Sequence, residues 1–342
     1  MLEELLRSWD GEEVVVRFDR PTGAWMFVCI HSTARGPAGG GTRMKTYAEP
    51  AHGLADGMRL AEAMTLKMAA VDMPFGGGKA VLAVPELVDG EARRRLLLRY
   101  GELVASLGGT FHTGPDMNTT VGDMDVIGER CDSVFCRSEE HGGSGDPGPY
   151  TARGVFHGIR ASVRHVFGTD SLEGRVALVQ GLGNVGAPLA RELAAAGARV
   201  LVSDVRPERA EGFGAEVVPA EAVIGAECDV YAPCALGGTL DAETIPRLRC
   251  RIVAGSANNQ LAEPEDAERL RAAGILYAPD FVINAGGVLY ALGLEYLGWT
   301  AEQIEERHAA IGDTLAEIYT RAGAEGITTE AAAERLARAR LT

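Results

Sequence analysis

A glycine-rich turn between two short apolar runs constrains the fold of this chain more than any other feature. Residues 175–180 read as a strand, and the sequence Gly-Leu-Gly-Asn-Val-Gly follows at once over residues 181–186. An Ala- and Leu-rich helical pattern then runs to Ala196, and a second strand over residues 199–203 ends at Asp204. Strand, G-x-G-x-x-G turn, helix, strand and acid together are the fingerprint of a dinucleotide-binding unit. The sequence therefore predicts an α/β fold with a Rossmann-type parallel sheet.

Each position of the turn has a predicted role toward the nucleotide. Gly181 allows the tight turn, Gly183 lets the pyrophosphate approach the backbone, and Gly186 lets the helix pack on the strand. Asn184 and Val185 lead into the helix, whose N-terminal N–H groups and dipole favour phosphate. These five residues are the predicted cofactor-binding turn.

Asp204 is predicted to choose between the two nicotinamide dinucleotides. A carboxylate at the end of the second strand accepts hydrogen bonds from the ribose hydroxyls. The same carboxylate repels a 2′-phosphate, so NAD is expected in preference to NADP. Arg206, two residues further on, leaves the opposite preference open.

Two lysines mark a candidate chemical site in the first half of the chain. Lys67 ends an apolar-rich helical stretch, and Lys79 follows three glycines, residues 76–78. We expect the glycines to clear space around the Lys79 ammonium group. Two cations in one cleft repel each other. The repulsion is relieved if one lysine binds an anion and the other has a lowered pKa and so becomes neutral. An enzyme that grips a carboxylate and uses a neutral amine as base needs this pair. Two unrelated surface lysines beside a turn are the alternative.

Composition excludes several classes of function. The length of 342 residues suits two domains. A net charge of −15 argues against a nucleic-acid partner. No apolar run is long enough to cross a membrane, and the acidic N-terminal stretch is unlike a signal peptide, so a cytoplasmic protein is expected. The six cysteines form no C-x-x-C pair and the seven histidines no cluster, so no metal site is expected.

The predicted elements place the nucleotide fold in the second half of the chain. Residues 1–140 are expected to form a substrate-binding and oligomerisation domain, and residues 148–321 the NAD-binding domain. A stretch dense in turn residues, 142–149, links the two. A C-terminal helix at about 322–342 is expected to pack back on the first domain. The predicted helices cover about 1–8, 50–70, 89–107, 150–167, 186–196, 285–297, 301–322 and 328–340.

Long motifs in this order resemble one family. They are Gly40-Gly-Thr-Arg-Met44, Met64-Thr-Leu-Lys67, Gly76-Gly-Gly-Lys79, Gly114-Pro-Asp116-Met-Asn-Thr119, Tyr231-Ala-Pro-Cys-Ala-Leu-Gly-Gly238, Ala257-Asn-Asn-Gln260 and Tyr277-Ala-Pro-Asp-Phe-Val-Ile-Asn284. The chain resembles the NAD-dependent amino-acid dehydrogenases that act on glutamate, leucine, valine and phenylalanine, from about residue 13 to residue 340. The stretches Thr113–Asp116 and Asp146–Pro149 look nearer the phenylalanine branch.

The resemblance implies a role for each matching residue. Lys67 would bind the substrate carboxylate with help from Asn284, and Lys79 would be the catalytic base. Asp116 would give and take a proton, and the Gly41 carbonyl would hold the substrate amino group. The family chemistry is oxidation of an L-amino acid to a 2-oxo acid and ammonia.

The resemblance also implies the cofactor, the assembly and the place of the site. Asn258 and Asn259 would place the nicotinamide ribose or its amide. The active site would lie in the cleft between the domains, and the chain would form a homo-oligomer. No membrane partner is implied.

Four positions suggest the substrate. Leucine enzymes of the family line the side-chain pocket with Leu, Ala, Val and Val, and the matching positions here are Gly39, Gly114, Val288 and Ala291. Three of them are smaller, so the volume predicts an aromatic substrate, L-phenylalanine first and L-tryptophan or L-tyrosine next. Neighbours such as Tyr290 could refill the space. A branched-chain substrate is the alternative, and a non-catalytic NAD-binding regulator is the alternative from another class.

Overall fold

The chain divides into two compact units in the computed structural model, which describes residues 2–341. The first unit takes in the chain up to Asp146, together with Leu294–Leu297 and the residues from Arg340 onward. The second unit consists of Pro147–Gly293 and Gly298–Ala339. Each unit is therefore assembled from separate stretches of sequence.

The first unit builds a five-stranded sheet with helices on both faces. Its strands are β1 (Glu13–Asp19), β2 (Ala24–Ser32), β3 (Ala38–Lys45), β4 (Gly76–Ala83) and β5 (Phe111–Pro115). Its helices are α1 (Leu2–Ser8), α2 (Pro50–Ala70), α3 (Gly90–Ala105) and α4 (Val121–Gly128). The strand order is β1-β2-β4-β3-β5. β2 is antiparallel to β1 and β4, whereas β3 is parallel to β4 and β5. β1 is thus an edge strand.

The two faces of this sheet bury different apolar clusters. Phe27 and Cys29 of β2 and Val81 of β4 belong to the cluster that packs with α2. Met26 of β2 and Leu82 of β4 belong to the cluster that packs with α3 and α4. Side chains alternate between the faces along a strand. A residue two positions before Val81 therefore faces the α2 side.

Glycine lets α2 approach this sheet closely. A Cβ atom on Gly77 would lie 2.0 Å from the backbone nitrogen of Thr65 in α2. On the other face, a Cβ on Gly78 would lie 2.8 Å from the Phe111 ring. We expected these glycines to clear space around the Lys79 ammonium group. The structure gives them a different role, because it places them inside β4, where helix backbone and a core ring occupy the side-chain positions.

The second unit contains the nucleotide-type fold. Its strands are β6 (Val176–Gln180), β7 (Arg199–Ser203), β8 (Glu216–Val217), β9 (Val230–Pro233), β10 (Ile252–Val253) and β11 (Leu276–Tyr277). Its helices are α5 (Gly148–Phe167), α6 (Gly186–Ala195), α7 (Pro207–Glu211), α8 (Asp266–Ala272), α9 (Asp280–Ile283), α10 (Gly286–Glu295, whose last residues group with the first unit), α11 (Ala301–Glu325) and α12 (Thr329–Ala339). Within residues 2–341, no helix combines the length and apolar character needed to cross a membrane.

The sheet of the second unit is parallel throughout and confirms the predicted fold class. Its order is β11-β10-β9-β6-β7-β8. The chain runs from β6 outward to β7 and β8, then returns to the other side of β6 as β9. This reversal of strand order is the switch point at which doubly wound sheets bind ligands, beyond the carboxyl ends of the strands. The glycine turn follows β6 directly and so lies at that point.

The C-terminal part differs from the prediction. We expected a helix at about 322–342 to pack on the first domain, but α12 groups with the second unit. Only the chain from Arg340 on groups with the first, where the Arg340 guanidinium donates to the Ala70 carbonyl (2.5 Å) and the Arg340 carbonyl accepts from Arg35 (2.6 Å). Met1 and Thr342, the ends of two predicted helices, lie outside the described residues.

Candidate active site

Lys79 lies in β4 with its amine against a carboxylate. Its side chain is 7% exposed, and Nζ lies 3.1 Å from Oδ2 of Asp116. Asp116 directly follows β5, where its backbone nitrogen donates to Oγ1 of Thr119 (2.8 Å). Gly41 of β3 is paired with Gly114 of β5, and the β3–β4 register places Gly41 beside Lys79. The structure therefore brings the two predicted catalytic residues together, with glycines on the neighbouring strands.

Gly41 has a steric reason to be glycine. A Cβ atom there would lie 2.7 Å from the Pro115 carbonyl oxygen and 2.9 Å from Cβ of Asp116. The absence of a side chain thus allows Asp116 its position beside β3. The carbonyl role of Gly41 toward a substrate amine stays a prediction.

Arg43 is a member of this cluster to which the sequence analysis assigned no role. Its Nε donates to Asp116 Oδ2 (2.9 Å), the same oxygen that faces Lys79. Its Nη1 donates to Asp56 Oδ2 on α2 (2.9 Å). Asp56 also accepts from the Tyr47 hydroxyl (2.7 Å). Arg43 lies two residues after Gly41 and so shares its face of β3, which is the signal that could have identified it.

The charges of the cluster shift one another's pKa values. Burial lowers the pKa of Lys79, Asp116 opposes that shift, and Arg43 adds to it. Burial raises the pKa of Asp116, but Lys79 and Arg43 outweigh it and hold that pKa at about 2. We expected Lys67 as the neighbouring cation that lowers the pKa of Lys79. Burial is the largest cause of that lowered pKa, and Arg43 also lowers it.

Lys67 occupies the last turn of α2, as expected, and is half-buried. Thr65, two residues earlier, packs against β4 at Gly77, where any side chain would clash with the Thr65 backbone. The Thr65 hydroxyl also pairs with Nδ1 of His31 at 2.9 Å. This end of α2 is therefore fixed against the strand that carries Lys79. Binding of a substrate carboxylate by Lys67 stays a prediction.

The space predicted beside Gly114 is already occupied. A Cβ on Gly114 would lie 2.1 Å from Cε2 of Phe135, a buried ring. The Phe135 backbone nitrogen donates to the Thr113 carbonyl (2.9 Å), which fixes the ring beside β5. The volume assigned to the Ala-to-Gly difference at this position is therefore not free. Gly39, the other first-unit position, lies in register with Gly77 and His112.

The remaining two pocket positions belong to the second unit. Val288 and Ala291 lie three residues apart on α10, and so on one side of that helix. Ala291 is fully buried and Val288 half-buried. Tyr290 stacks on Tyr150 of α5, with ring centroids 3.3 Å apart. That the four positions line one pocket stays a prediction.

The glycine turn fits a pyrophosphate. Gly181 has a φ of +93°, a backbone conformation that side chains rarely adopt. A Cβ on Gly186 would lie 1.8 Å from the Gly181 carbonyl oxygen, whereas a Cβ on Gly183 would meet no atom within 4 Å. Within the described chain, the N–H groups of Gly183, Asn184 and Val185 donate no hydrogen bond. An open approach and free N–H groups at the start of α6 are what an anion requires.

Asp204 is fixed at the end of β7 by two backbone groups. Oδ2 accepts from the Leu182 nitrogen (2.7 Å) and Oδ1 from the Arg206 nitrogen (2.9 Å). Burial raises the pKa of Asp204, but these hydrogen bonds outweigh it, so the pKa is lowered. Arg209 lies 3.9 Å away, too far for a hydrogen bond. Asp204 therefore shapes the glycine turn, which we did not expect, and its contact with the ribose hydroxyls stays a prediction.

The predicted amide residues are joined to one another. Asn284 Nδ2 donates to Asn258 Oδ1 (2.8 Å) and to the Ser256 carbonyl (3.1 Å). Asn259 has a φ of +50°, and its carbonyl accepts from Gly238 (2.7 Å). Asn258 and Asn259 are exposed and Asn284 is buried, so Asn284 can orient the Asn258 amide. Their roles toward substrate and cofactor stay predictions.

Two family models match the chain. "Glu/Leu/Phe/Val dehydrogenase, dimerisation domain" matches residues 14–133, and "Glutamate/Leucine/Phenylalanine/Valine dehydrogenase" matches residues 206–341. The first match falls in the first unit and the second mostly in the second unit. These matches confirm the predicted two-domain fold at the level of the family.

Relatives of the whole chain carry several names. It is 44% identical to the leucine dehydrogenase of Bacillus cereus, over 99% of this chain and 93% of the relative. It is 42% identical to the valine dehydrogenase of Streptomyces albus, over 100% and 95%. The crystal structure of L-tryptophan dehydrogenase from Nostoc punctiforme matches with a TM-score of 0.85 and 38% identity, over 99% and 98%.

These names test the predicted branch and establish the family. The leucine and valine names do not support the expectation that the chain lies nearer the phenylalanine branch. A hetero-hexameric glutamate dehydrogenase from Thermus thermophilus shares the fold at a TM-score of 0.80 and 26% identity, over 99% of this chain and 93% of that one. The chain belongs to the Glu/Leu/Phe/Val dehydrogenase family and is an amino-acid dehydrogenase, with NAD as its cofactor.

Proposed function

We propose that this enzyme catalyses the reversible oxidative deamination of an apolar L-amino acid, with Lys79 as the base. The observation that carries the proposal is the buried Lys79 amine, 3.1 Å from the Asp116 carboxylate. Burial lowers the pKa of Lys79, so the neutral amine is available nearer to physiological pH. A base performs best when its pKa lies near the working pH.

Each residue of the proposed site has a separate role, either in binding the substrate or in moving a proton. Lys67 pairs with the substrate carboxylate, and the Gly41 carbonyl accepts a hydrogen bond from the substrate amine. NAD held at the glycine turn would supply the acceptor for the hydride that leaves the substrate Cα. Lys79 takes a proton from the water that attacks the resulting imine carbon, and Asp116 exchanges protons with the departing amino group. The net change converts the L-amino acid, water and NAD⁺ to the 2-oxo acid, ammonium, NADH and one proton.

The side chain of the preferred substrate is branched and aliphatic in this proposal. Relatives at 42–44% identity are named leucine and valine dehydrogenase. Phe135 fills the space that the Gly114 position was expected to open. An aromatic side chain therefore has less room beside Gly114 than the smaller residue at that position predicted.

An aromatic substrate is the second candidate. The tryptophan dehydrogenase of Nostoc punctiforme matches this chain over nearly its full length at 38% identity. Gly39 and Ala291 are smaller than their counterparts in leucine enzymes, which favours a larger substrate side chain at those two positions. These observations favour L-tryptophan or L-phenylalanine as the competing substrate.

Initial rates of NADH formation on a panel of L-amino acids separate the two candidates. We expect kcat/KM for leucine or valine to exceed that for each aromatic amino acid by about tenfold or more, because pocket fit discriminates on that scale. Phe135→Ala should narrow this ratio by opening space beside Gly114. A higher kcat/KM for an aromatic amino acid would establish the second candidate, and no NADH with any amino acid would favour the non-catalytic regulator.

We also propose that copies of this chain associate through β1. Among the residues that the structure describes, β1 pairs with β2 alone, so one side of this edge strand has no strand partner, and 47% of Val16 and 42% of Phe18 are exposed. Unpaired edges with exposed apolar side chains favour strand-to-strand association. The matching family model carries the words "dimerisation domain" over residues 14–133.

Sedimentation velocity tests this assembly. We expect a mass above the 36.1 kDa of one chain, and a lower mass for Val16→Glu because the new charges would repel across the interface. Leu87→Glu is the matched control, since Leu87 is 56% exposed and lies outside β1. A 36.1 kDa native species would contradict the proposal, as would equal masses for native protein and Val16→Glu. The cytoplasmic location stays a prediction.

A further inference from the structure

Arg43 contacts two carboxylates, and on one of them it shares an oxygen atom with Lys79, which a simple salt bridge does not require. Its Nε and the Nζ of Lys79 both lie against one atom, Oδ2 of Asp116, at 2.9 Å and 3.1 Å. Its other end is held by Asp56 at 2.9 Å, and its side chain is only 13% exposed. Two cations that share one carboxylate oxygen compete for its charge. The guanidinium stays charged at any working pH, so the amine is the group that gives up its proton.

We propose that Arg43 is a positioning residue that holds the Asp116 carboxylate beside Lys79 and, as a second cation on that carboxylate, favours the neutral form of the Lys79 amine. This inference rests on the proposed role of Lys79 as base. Arg43 touches no reacting atom in the proposal and acts through Asp116.

The surroundings of Lys79 supply charges of both signs. Cys29 is its neighbour on β2, Arg43 lies on β3, and Asp116 follows β5. α2 carries Asp56 and also Lys67. Arg43 lowers the pKa of Lys79, whereas Asp56 and Asp116 raise it. The effect of Arg43 on the pKa of Lys79 is therefore opposed by Asp56 and Asp116, the two carboxylates that bind Arg43.

Substitution of Arg43 and substitution of Asp56 should consequently shift the pKa of Lys79 in opposite directions. Arg43→Gln removes the cation and should raise the pKa of Lys79, so the acid limb of the deamination profile moves to higher pH. Asp56→Asn removes an anion and should move the limb to lower pH. A purely structural salt bridge predicts loss of activity at every pH from either change, without opposite displacements.

The test measures kcat/KM for deamination against pH in the native enzyme, Arg43→Gln, Arg43→Lys and Asp56→Asn. The ionisation of the free amino acid is common to all four profiles, so only differences between them count. On the acid limb we expect Arg43→Gln to lose roughly tenfold in kcat/KM, because one neighbouring charge acts on that scale, with the deficit shrinking at high pH. Arg43→Lys keeps the cation and should hold the limb near its native position.

A second readout does not depend on turnover. The chain has three lysines, so the pH dependence of acetylation by acetic anhydride, read by mass spectrometry, resolves Lys79 directly. Its apparent pKa should rise in Arg43→Gln and fall in Asp56→Asn. Arg99→Gln is the matched control, because Arg99 makes a two-pronged ion pair with buried Asp19 in the same unit. This control should move neither the limb nor the acetylation profile.

The outcomes separate the two proposals. Unmoved profiles, or displacement in the same direction by Arg43→Gln and Asp56→Asn, would overturn the role of Arg43. An Arg43→Gln protein that does not fold leaves Asp56→Asn and Arg43→Lys to decide. Full activity in Lys79→Ala would instead overturn the base assignment itself.

Discussion

Replacing Lys79 by alanine is expected to lower kcat for deamination by about 10²–10⁴-fold, the range that one general base contributes. The reason is the buried Lys79 amine, which lies 3.1 Å from the Asp116 carboxylate. Lys67→Ala should act differently and chiefly raise KM for the amino acid, because it removes the proposed carboxylate anchor. Steady-state kinetics on both variants measures the contrast.

The third lysine provides the control for this experiment. Lys45 is exposed at the end of β3, with its ammonium group over the Tyr47 ring. Lys45→Ala should leave kcat and KM near native values, and NAD binding should persist in all three variants. Near-native kcat in Lys79→Ala would show that another group is the base.

The native enzyme is expected to use NAD with a kcat/KM at least about tenfold above that for NADP. The Asp204 carboxylate is held in place by two backbone N–H groups, so it cannot turn away from a 2′-phosphate. An unpaired like charge at such contact costs more than about 1.4 kcal/mol, which is a factor of ten.

Asp204→Asn tests the origin of the preference. The amide keeps one acceptor oxygen and loses the charge, so the ratio of NAD to NADP efficiency should fall while KM for the amino acid changes little. Asp241→Asn is the matched control, because Asp241 also accepts from two nearby backbone nitrogens, of Glu243 and Thr244. Equal efficiency with both dinucleotides in the native enzyme would refute the proposal.

Local patterns predicted the elements whose determinants lie close together in sequence. The G-x-G-x-x-G turn, its two strands and its helix could be predicted because turn, apolar runs and acid are neighbours in sequence. α4 went unpredicted although Thr120 and Asp123 form a capping box, a pattern visible in the sequence. The two-residue strands β10 and β11 fall within the short apolar runs at residues 251–256 and 275–277, which predict strands there.

The errors concern partners that are distant in sequence. Gly77 was interpreted through its neighbour Lys79, whereas its steric partner is Thr65 of α2. Gly114 was interpreted as empty space, but Phe135 returns from 21 residues later to fill it. Arg43 was visible in a quoted motif, yet its role depends on Asp116, 73 residues away. The composition also indicates the site, although we did not use it. Lysine accounts for only three of the 33 basic residues, and two of the three lie at the predicted site.

The division of the first unit into separate stretches has a consequence for the order in which the protein is completed during synthesis. α2, which carries Lys67, ends at Ala70, and the carbonyl of Ala70 accepts its hydrogen bond from Arg340. Arg35 donates to the carbonyl of Arg340, so this hydrogen bond also forms only after Arg340 has been synthesised. A ribosome makes Arg340 some 270 residues after Ala70. Thr65 packs this end of α2 against Gly77 without any residue from the second half of the chain, but the hydrogen bonds that join Arg340 to Ala70 and to Arg35 need residue 340. The first unit is therefore completed only after the residues of the second unit, which run to Ala339, have been synthesised.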